Sequence, residues 1–189
     1  MRVFGGIDES GRMREFGVKK IALYSVCLSV LMVVLSILQT SDIKLFGQVA
    51  DALLAFVCSV GFVFGGGFGA IFGLVSGIVI EFLGGADFTL TPILYVLCGF
   101  SCGAFKNKIL SSNFASFLIF GAIGGIVREI FTLVYFGLGS TEFDFGLILK
   151  DVIIGEYFAY LLCILPLYFV ILGIYLLFKG KDEGSRIVK

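Results

Sequence analysis

The chain of 189 residues has no histidine, no tryptophan and two prolines, and only 15% of its residues are charged. Without histidine, the commonest acid–base group and metal ligand near neutral pH is missing, and neither G-x-S-x-G nor H-E-x-x-H occurs. No phosphate-binding glycine loop follows a strand pattern. Hydrolase, zinc and nucleotide chemistry are therefore not expected, and neither is a cofactor. Cys27, Cys58, Cys98, Cys102 and Cys163 all fall in apolar stretches without paired-ligand spacing, which excludes a zinc site or a disulfide scaffold and leaves them as small buried hydrophobes. Cys27 follows Tyr-Ser-Val, which is not a lipidation signal. Lysine plus arginine and aspartate plus glutamate balance at 14 each, so no nucleic-acid partner is expected.

What is present in excess is apolar: 59% hydrophobic residues, 22 phenylalanines and a mean hydropathy of +1.08. Soluble domains carry about 25% charged residues. The chain reads as an all-α integral membrane protein with a single transmembrane domain, residues 21–178, between a cytoplasmic tail of residues 1–20 and another of residues 179–189. A charge-free run, Ile21 to Ser41, is long enough to span a bilayer and lacks an A-x-A cleavage site, which favours a retained first helix.

No charge occurs from residue 52 to residue 80, a run too long for one simple span and just long enough for two short ones. Glycine recurs there every fourth position, at Gly61, Gly65, Gly69, Gly73 and Gly77, and the next step lands on Glu81. Residues four apart share one helix face. Several interior glycines would break a helix in water, where each costs about 1 kcal/mol relative to alanine. In hydrocarbon the backbone must stay bonded, and small residues let a neighbouring helix approach closely. The run is read as a helix-packing seam, with a ligand or ion path along the groove as the alternative. A break at Gly65-Gly66-Gly67 divides helix two, about Val49 to Phe64, from helix three, about Gly66 to Leu83; one long tilted helix is the other reading.

Helix four is expected from about Phe88 to Phe105, with Pro92 in its first turn, Gly99 and Gly103 as a second small-residue pair, and Lys106 and Lys108 at its end. Helix five, about Asn113 to Leu138, carries Gly121 and Gly125. Helix six, about Val152 to Phe178, is expected to kink at Pro166. Arg2, Arg12, Arg14, Lys19 and Lys20 in the first tail, Lys106 and Lys108, and Lys179, Lys181, Arg186 and Lys189 in the last fall on one side of a six-span chain; only Lys44 and Lys150 fall on the other. By the positive-inside rule both termini are cytoplasmic.

Arg128 and Glu129 interrupt helix five, and ionisable groups inside a span are expensive and usually paired. As neighbours they point about 100° apart and are not expected to face each other. Arg128 is expected to pair with Glu81 or Glu156, either as a lock for the bundle or as part of a proton or ion route. Tyr95, Tyr135, Tyr157 and Tyr160 are read as interface or packing residues.

These stretches, in order, resemble the rod shape-determining membrane protein family, MreD. The likeness runs from SILQTS (Ser36 to Ser41) through DALLAF from Asp51, where members commonly read Pro-Asp-Leu-Leu and this chain has Ala50. It continues through the glycine run, the acidic Glu81, LTPILYVLCGFSCG (Leu90 to Gly103), and Glu156 followed by aromatic residues and LPLYF to Phe169. The resemblance implies a non-enzymatic scaffold in the cell-wall elongation machinery of the bacterial cytoplasmic membrane. Its implied partners are an MreC-like protein, a RodA-type glycosyltransferase with its transpeptidase and, indirectly, the actin-like MreB filament. It also implies a fold like that of the substrate-binding subunits of energy-coupling factor vitamin transporters, six-helix proteins with glycine-rich hairpins. Such a vitamin-capturing subunit is the rival function. The spans offer few polar groups for a small-molecule ligand, since Gln39, Gln48, Asn107 and Asn113 all lie near helix ends.

Overall fold

The computed structural model describes residues 15–41, 44–45, 48–84, 90–108, 114–139 and 154–186. Six helices make up almost all of it: α1 (Glu15–Thr40), α2 (Ala52–Phe64), α3 (Gly66–Gly84), α4 (Thr91–Lys108), α5 (Phe114–Gly139) and α6 (Ile154–Arg186). Between α1 and α2 two short strands, β1 (Lys44–Leu45) and β2 (Gln48–Val49), pair antiparallel with Lys44 opposite Val49.

The surface is apolar where a soluble protein would be polar. Val26, Val30 and Ile37 on α1, Ile71 and Phe82 on α3, Ile119 and Ile130 on α5, and Phe158 and Phe169 on α6 are all exposed. Among the described residues four helices are long and apolar enough to cross a bilayer, at Ile21–Thr40, Gly66–Leu83, Phe114–Val134 and Gly155–Leu177. Two apolar helices are shorter. The 13 residues of α2 rise about 20 Å, against a hydrocarbon core of about 30 Å. Every residue of α2 from Leu53 to Phe64 is buried, because the helix runs through the middle of the bundle and touches all five others. A helix that is apolar all round belongs there.

The division of the long uncharged run falls at Gly65. Its φ of 106° and ψ of 163° lie in a region essentially reserved for glycine, and they separate two helices rather than bending one. Its N–H still donates to the Gly61 carbonyl at 2.9 Å, and its own carbonyl accepts from Gly69 N–H at 3.1 Å, so the turn leaves neither group unbonded in lipid. Gly65, expected as a member of the packing seam, makes the turn, and its carbonyl carbon also lies against Gly103 of α4.

Two boundaries differ from the sequence reading. Glu15 to Lys20, expected in the first tail, already belong to α1, and α6 continues past Phe178 to Arg186, so most of the second tail is helix. A helix already nucleated gains a bond for each residue it adds, and both helices continue into the charged segments although Gly17, Gly180 and Gly184 disfavour it. Pro166, where a kink is expected, lies inside α6, which is continuous through it. Residues 1–14 and 187–189 lie outside the described residues.

The glycines set the spacing of α2, α3 and α4. A Cβ added at Gly69 would run into the carbonyl of Gly99 on α4 and lie 2.7 Å from Gly61 Cα on α2; one at Gly73 would lie 2.5 Å from the Tyr95 carbonyl oxygen. Gly77 meets the Pro92 backbone, Gly99 meets Gly69, and Gly103 meets Gly66. The groove is filled by the backbone of α4, so it is a packing seam and not an open path. Gly121 and Gly125 do the same for α5 and α6, where Ile164 and the Tyr160 ring fill the space.

Candidate functional site

The end of α1, the start of α2, the end of α3, the start of α4, the second half of α5 and the start of α6 meet at one end of the bundle. Each brings polar residues, and they converge on Arg128. Its Nε lies 3.3 Å from Asp51 Oδ2, its Nη1 lies 2.7 Å from Glu129 Oε1, and the same Nη1 also bonds Glu156 Oε2. One guanidinium on α5 thereby joins the first residue before α2 to the first turn of α6. Its planar, many-donor shape is what allows this, and an ammonium could not reach all three.

Asp51 is the hub on the acidic side. It caps α2 by accepting from Leu54 N–H at 3.0 Å, and the same Oδ1 accepts from Tyr95 O–H at 2.6 Å and Gln39 Nε2 at 3.4 Å. Gln39 in turn accepts from Leu53 N–H at 3.1 Å, so α1 and Asp51 together satisfy the open start of α2. A helix that begins inside a bundle has no water to bond its first amides; a buried side chain must do it.

The sequence reading placed Glu81 or Glu156 opposite Arg128, and the structure pairs the guanidinium with Glu156. Glu81 is buried beside the cluster and accepts from Thr91 N–H at 3.2 Å, across the loop to the first residue of α4. A carboxylate at a helix N-terminus is favourably placed against the open amides and the dipole. The expectation that Arg128 and Glu129 do not face each other is corrected: both side chains are long enough to fold together across the 100° between them. Glu129 is only 5% exposed, and its Oε2 is buried without a hydrogen-bond partner.

Asp51, Gln39 and Tyr95 were not among the expected site residues. Asp51 immediately before an apolar run is an N-cap signal, and recognising that the run is the central helix would have placed the carboxylate inside. Tyr95, read as a packing residue, is buried and donates to Asp51; Tyr160 and Tyr157 donate to the Gly121 and Ala122 carbonyls on α5. The side chain of Tyr135 lies outside the described residues.

Beside the cluster is a cavity of about 240 Å³, with Asp51, Glu81 and Arg128 on its polar side and Ile80, Leu94 and Phe131 on its apolar side. Small-molecule sites usually run from about 300 to 1,000 Å³. Among the described residues no group of His, Cys, Asp and Glu has the arrangement of a metal site; the carboxylates converge on a guanidinium instead. The cysteines are free, and Cys58, Cys98 and Cys102 are buried in the core.

No protein-family model, curated protein or solved structure matches the chain.

Proposed function

We propose that this chain is a non-enzymatic membrane scaffold of the MreD type, which organises peptidoglycan elongation and hence rod shape in the bacterial cytoplasmic membrane. One observation carries the reading. The motifs of the resemblance are scattered from Ser36 to Phe169, yet Asp51, Glu81, Thr91, Tyr95 and Glu156, which belong to four of them, meet at one end of the bundle around Arg128 or its adjoining cavity. Motifs that converge in space form one unit. That unit has the chemistry of a lock: a guanidinium held by three acidic side chains.

The vitamin-transporter reading is disfavoured by space. The glycine groove is occupied by α4, and the cavity beside Arg128, of about 240 Å³, lies below the usual range of small-molecule sites. A scaffold acts through its outer surfaces, and its partners here are an MreC-like protein, a RodA-type glycosyltransferase with its transpeptidase and, indirectly, MreB. In this reading α1 to α6 all cross, the short α2 inside the bundle, and both termini are cytoplasmic. Cysteines introduced near Arg12 and Arg186 should resist an impermeant thiol reagent in intact cells; labelling of both would reverse the orientation.

Depletion is the functional test. A rod-shaped host that loses this protein should round up or stop elongating while its vitamin uptake stays normal. A depleted strain that keeps its shape and acquires a vitamin requirement would replace the scaffold with a transporter.

A further inference from the structure

We infer that Glu129 binds a proton, so that at neutral pH the guanidinium of Arg128 is held by two carboxylates and one neutral carboxylic acid. Among the described residues, Asp51, Glu129 and Glu156 all bond this one cation, and ionisation of all three would leave two uncompensated negative charges inside the bundle. Excess charge away from water is expensive, and a buried acid escapes it by taking up a proton.

The surroundings decide which acid takes it. Asp51 stays ionised, because its oxygens accept from Leu54 N–H, Tyr95 O–H, Gln39 N–H and the guanidinium, and hydrogen bonds to the charged form favour that form. Glu156 stands in the first turn of α6, where the open amides of the helix favour an anion, and its side chain is 20% exposed. Glu129 has neither advantage. It lies in the interior of α5, well away from either end, and is buried. Its Oε1 accepts from Arg128 Nη1 at 2.7 Å, whereas its Oε2 is buried without a hydrogen-bond partner. These are the two oxygens of a carboxylic acid: Oε1 is the carbonyl that meets the guanidinium, and Oε2 is the hydroxyl. An unbonded hydroxyl in the interior costs far less than an unbonded carboxylate oxygen.

The other titratable groups around the cluster have bonds of their own. Glu81 at the end of α3 accepts from Thr91 N–H and adds negative charge at the margin, while Tyr95 on α4 donates to Asp51. Farther along α5, Tyr160 of α6 donates to the Gly121 carbonyl and touches the Cys58 thiol of α2, and the Cys98 thiol of α4 donates to the Gly124 carbonyl. Cys163 lies about one turn beyond Tyr160. None of these supplies positive charge to Glu129.

The test is infrared spectroscopy of the full chain in nanodiscs at neutral pH, in light and in heavy water. The parent should show the C=O stretch of a protonated carboxyl group, shifted in heavy water, and Glu129→Gln should lack it. No such band in the parent, or one that survives Glu129→Gln, would overturn the assignment. Stability gives a second reading. A folded state that holds one proton more than the unfolded chain loses stability as pH rises. From neutral to alkaline pH the folding constant of the parent, measured by SDS titration in mixed micelles, should fall relative to that of Glu129→Gln by up to about tenfold per pH unit. Equal pH profiles would mean that Glu129 is ionised in the fold and would overturn the inference. At neutral pH the amide, uncharged and with the same acceptor oxygen, should fold with a constant within about tenfold of the parent's. A Glu129→Gln chain that fails to fold would show that negative charge is required at this position, which also contradicts the proton.

Discussion

Gly69→Ala should cost this protein about 3 kcal/mol, the upper end of what overpacking usually costs, and Gly69→Leu should abolish the fold. Alanine would be expected to be mild if the seam met side chains, which can rotate away. It does not: the new methyl would meet the Gly99 carbonyl on one side and the Gly61 Cα on the other, both backbone. Relief requires moving α4 away from α3 along its length, and that would also loosen the Gly73 and Gly77 contacts with Tyr95 and Pro92. Separated helices lose packing that lipid does not restore. An internal control is available at Gly173 on α6, where an added Cβ meets nothing within 4 Å. Gly173→Ala should be neutral, or stabilising by up to about 1 kcal/mol through helix propensity. Unfolding of both variants by SDS titration in mixed micelles checks the pair, and a Gly69→Ala protein as stable as its parent would remove the seam from the account.

The seam was legible because glycine spacing is a one-dimensional signal, and close helix approach was the first of the two readings it carried. The break at Gly65 was legible for a similar reason, since the distance between Asp51 and Glu81 left room for two helices and the glycine triplet marked where the chain could turn. The cluster was legible only in part. Arg128 announces itself as a charge inside a span, and Glu156 as a carboxylate at the matching depth. Asp51 looks like an ordinary helix-end residue until α2 is known to be the buried centre of the bundle. That fact depends on how five other helices surround it, which no local pattern encodes. The contact between Arg128 and Glu129 was missed for another reason: the 100° rule describes Cβ directions, and long side chains are not bound by it. The extension of α6 to Arg186 was not legible, because Gly180, Asp182, Gly184 and Ser185 are poor helix formers and the segment reads as a tail; it continues a helix already formed.

Arg128→Ala should destabilise the bundle by about 3–5 kcal/mol, the cost of leaving buried carboxylates without their cation. The loss has three parts here, because the one side chain holds Asp51, Glu129 and Glu156. Arg128→Lys should recover only part of it, since a single ammonium replaces an Nε and an Nη1 that point to different partners. Second changes should differ in a telling way. Glu156→Gln in the Arg128→Ala background removes a stranded charge and should restore stability in part. Asp51→Asn should rescue less, because the bonds from Leu54, Tyr95 and Gln39 all go to Oδ1, and a neutral amide oxygen accepts them more weakly than a carboxylate does. Rescue by Asp51→Asn as strong as that by Glu156→Gln would mean that its capping contacts carry little of the stability.

The central claim is that one guanidinium ties α2, α5 and α6 together, and a double-mutant cycle between Arg128 and Glu156 tests it most directly. Arg128→Met, Glu156→Gln and the double variant would be unfolded in the same SDS titration as the parent. The account predicts a coupling of about 1 kcal/mol or more, with the double variant less damaged than the sum of the singles. Additivity within about 0.5 kcal/mol would show that the two residues act independently and would contradict it.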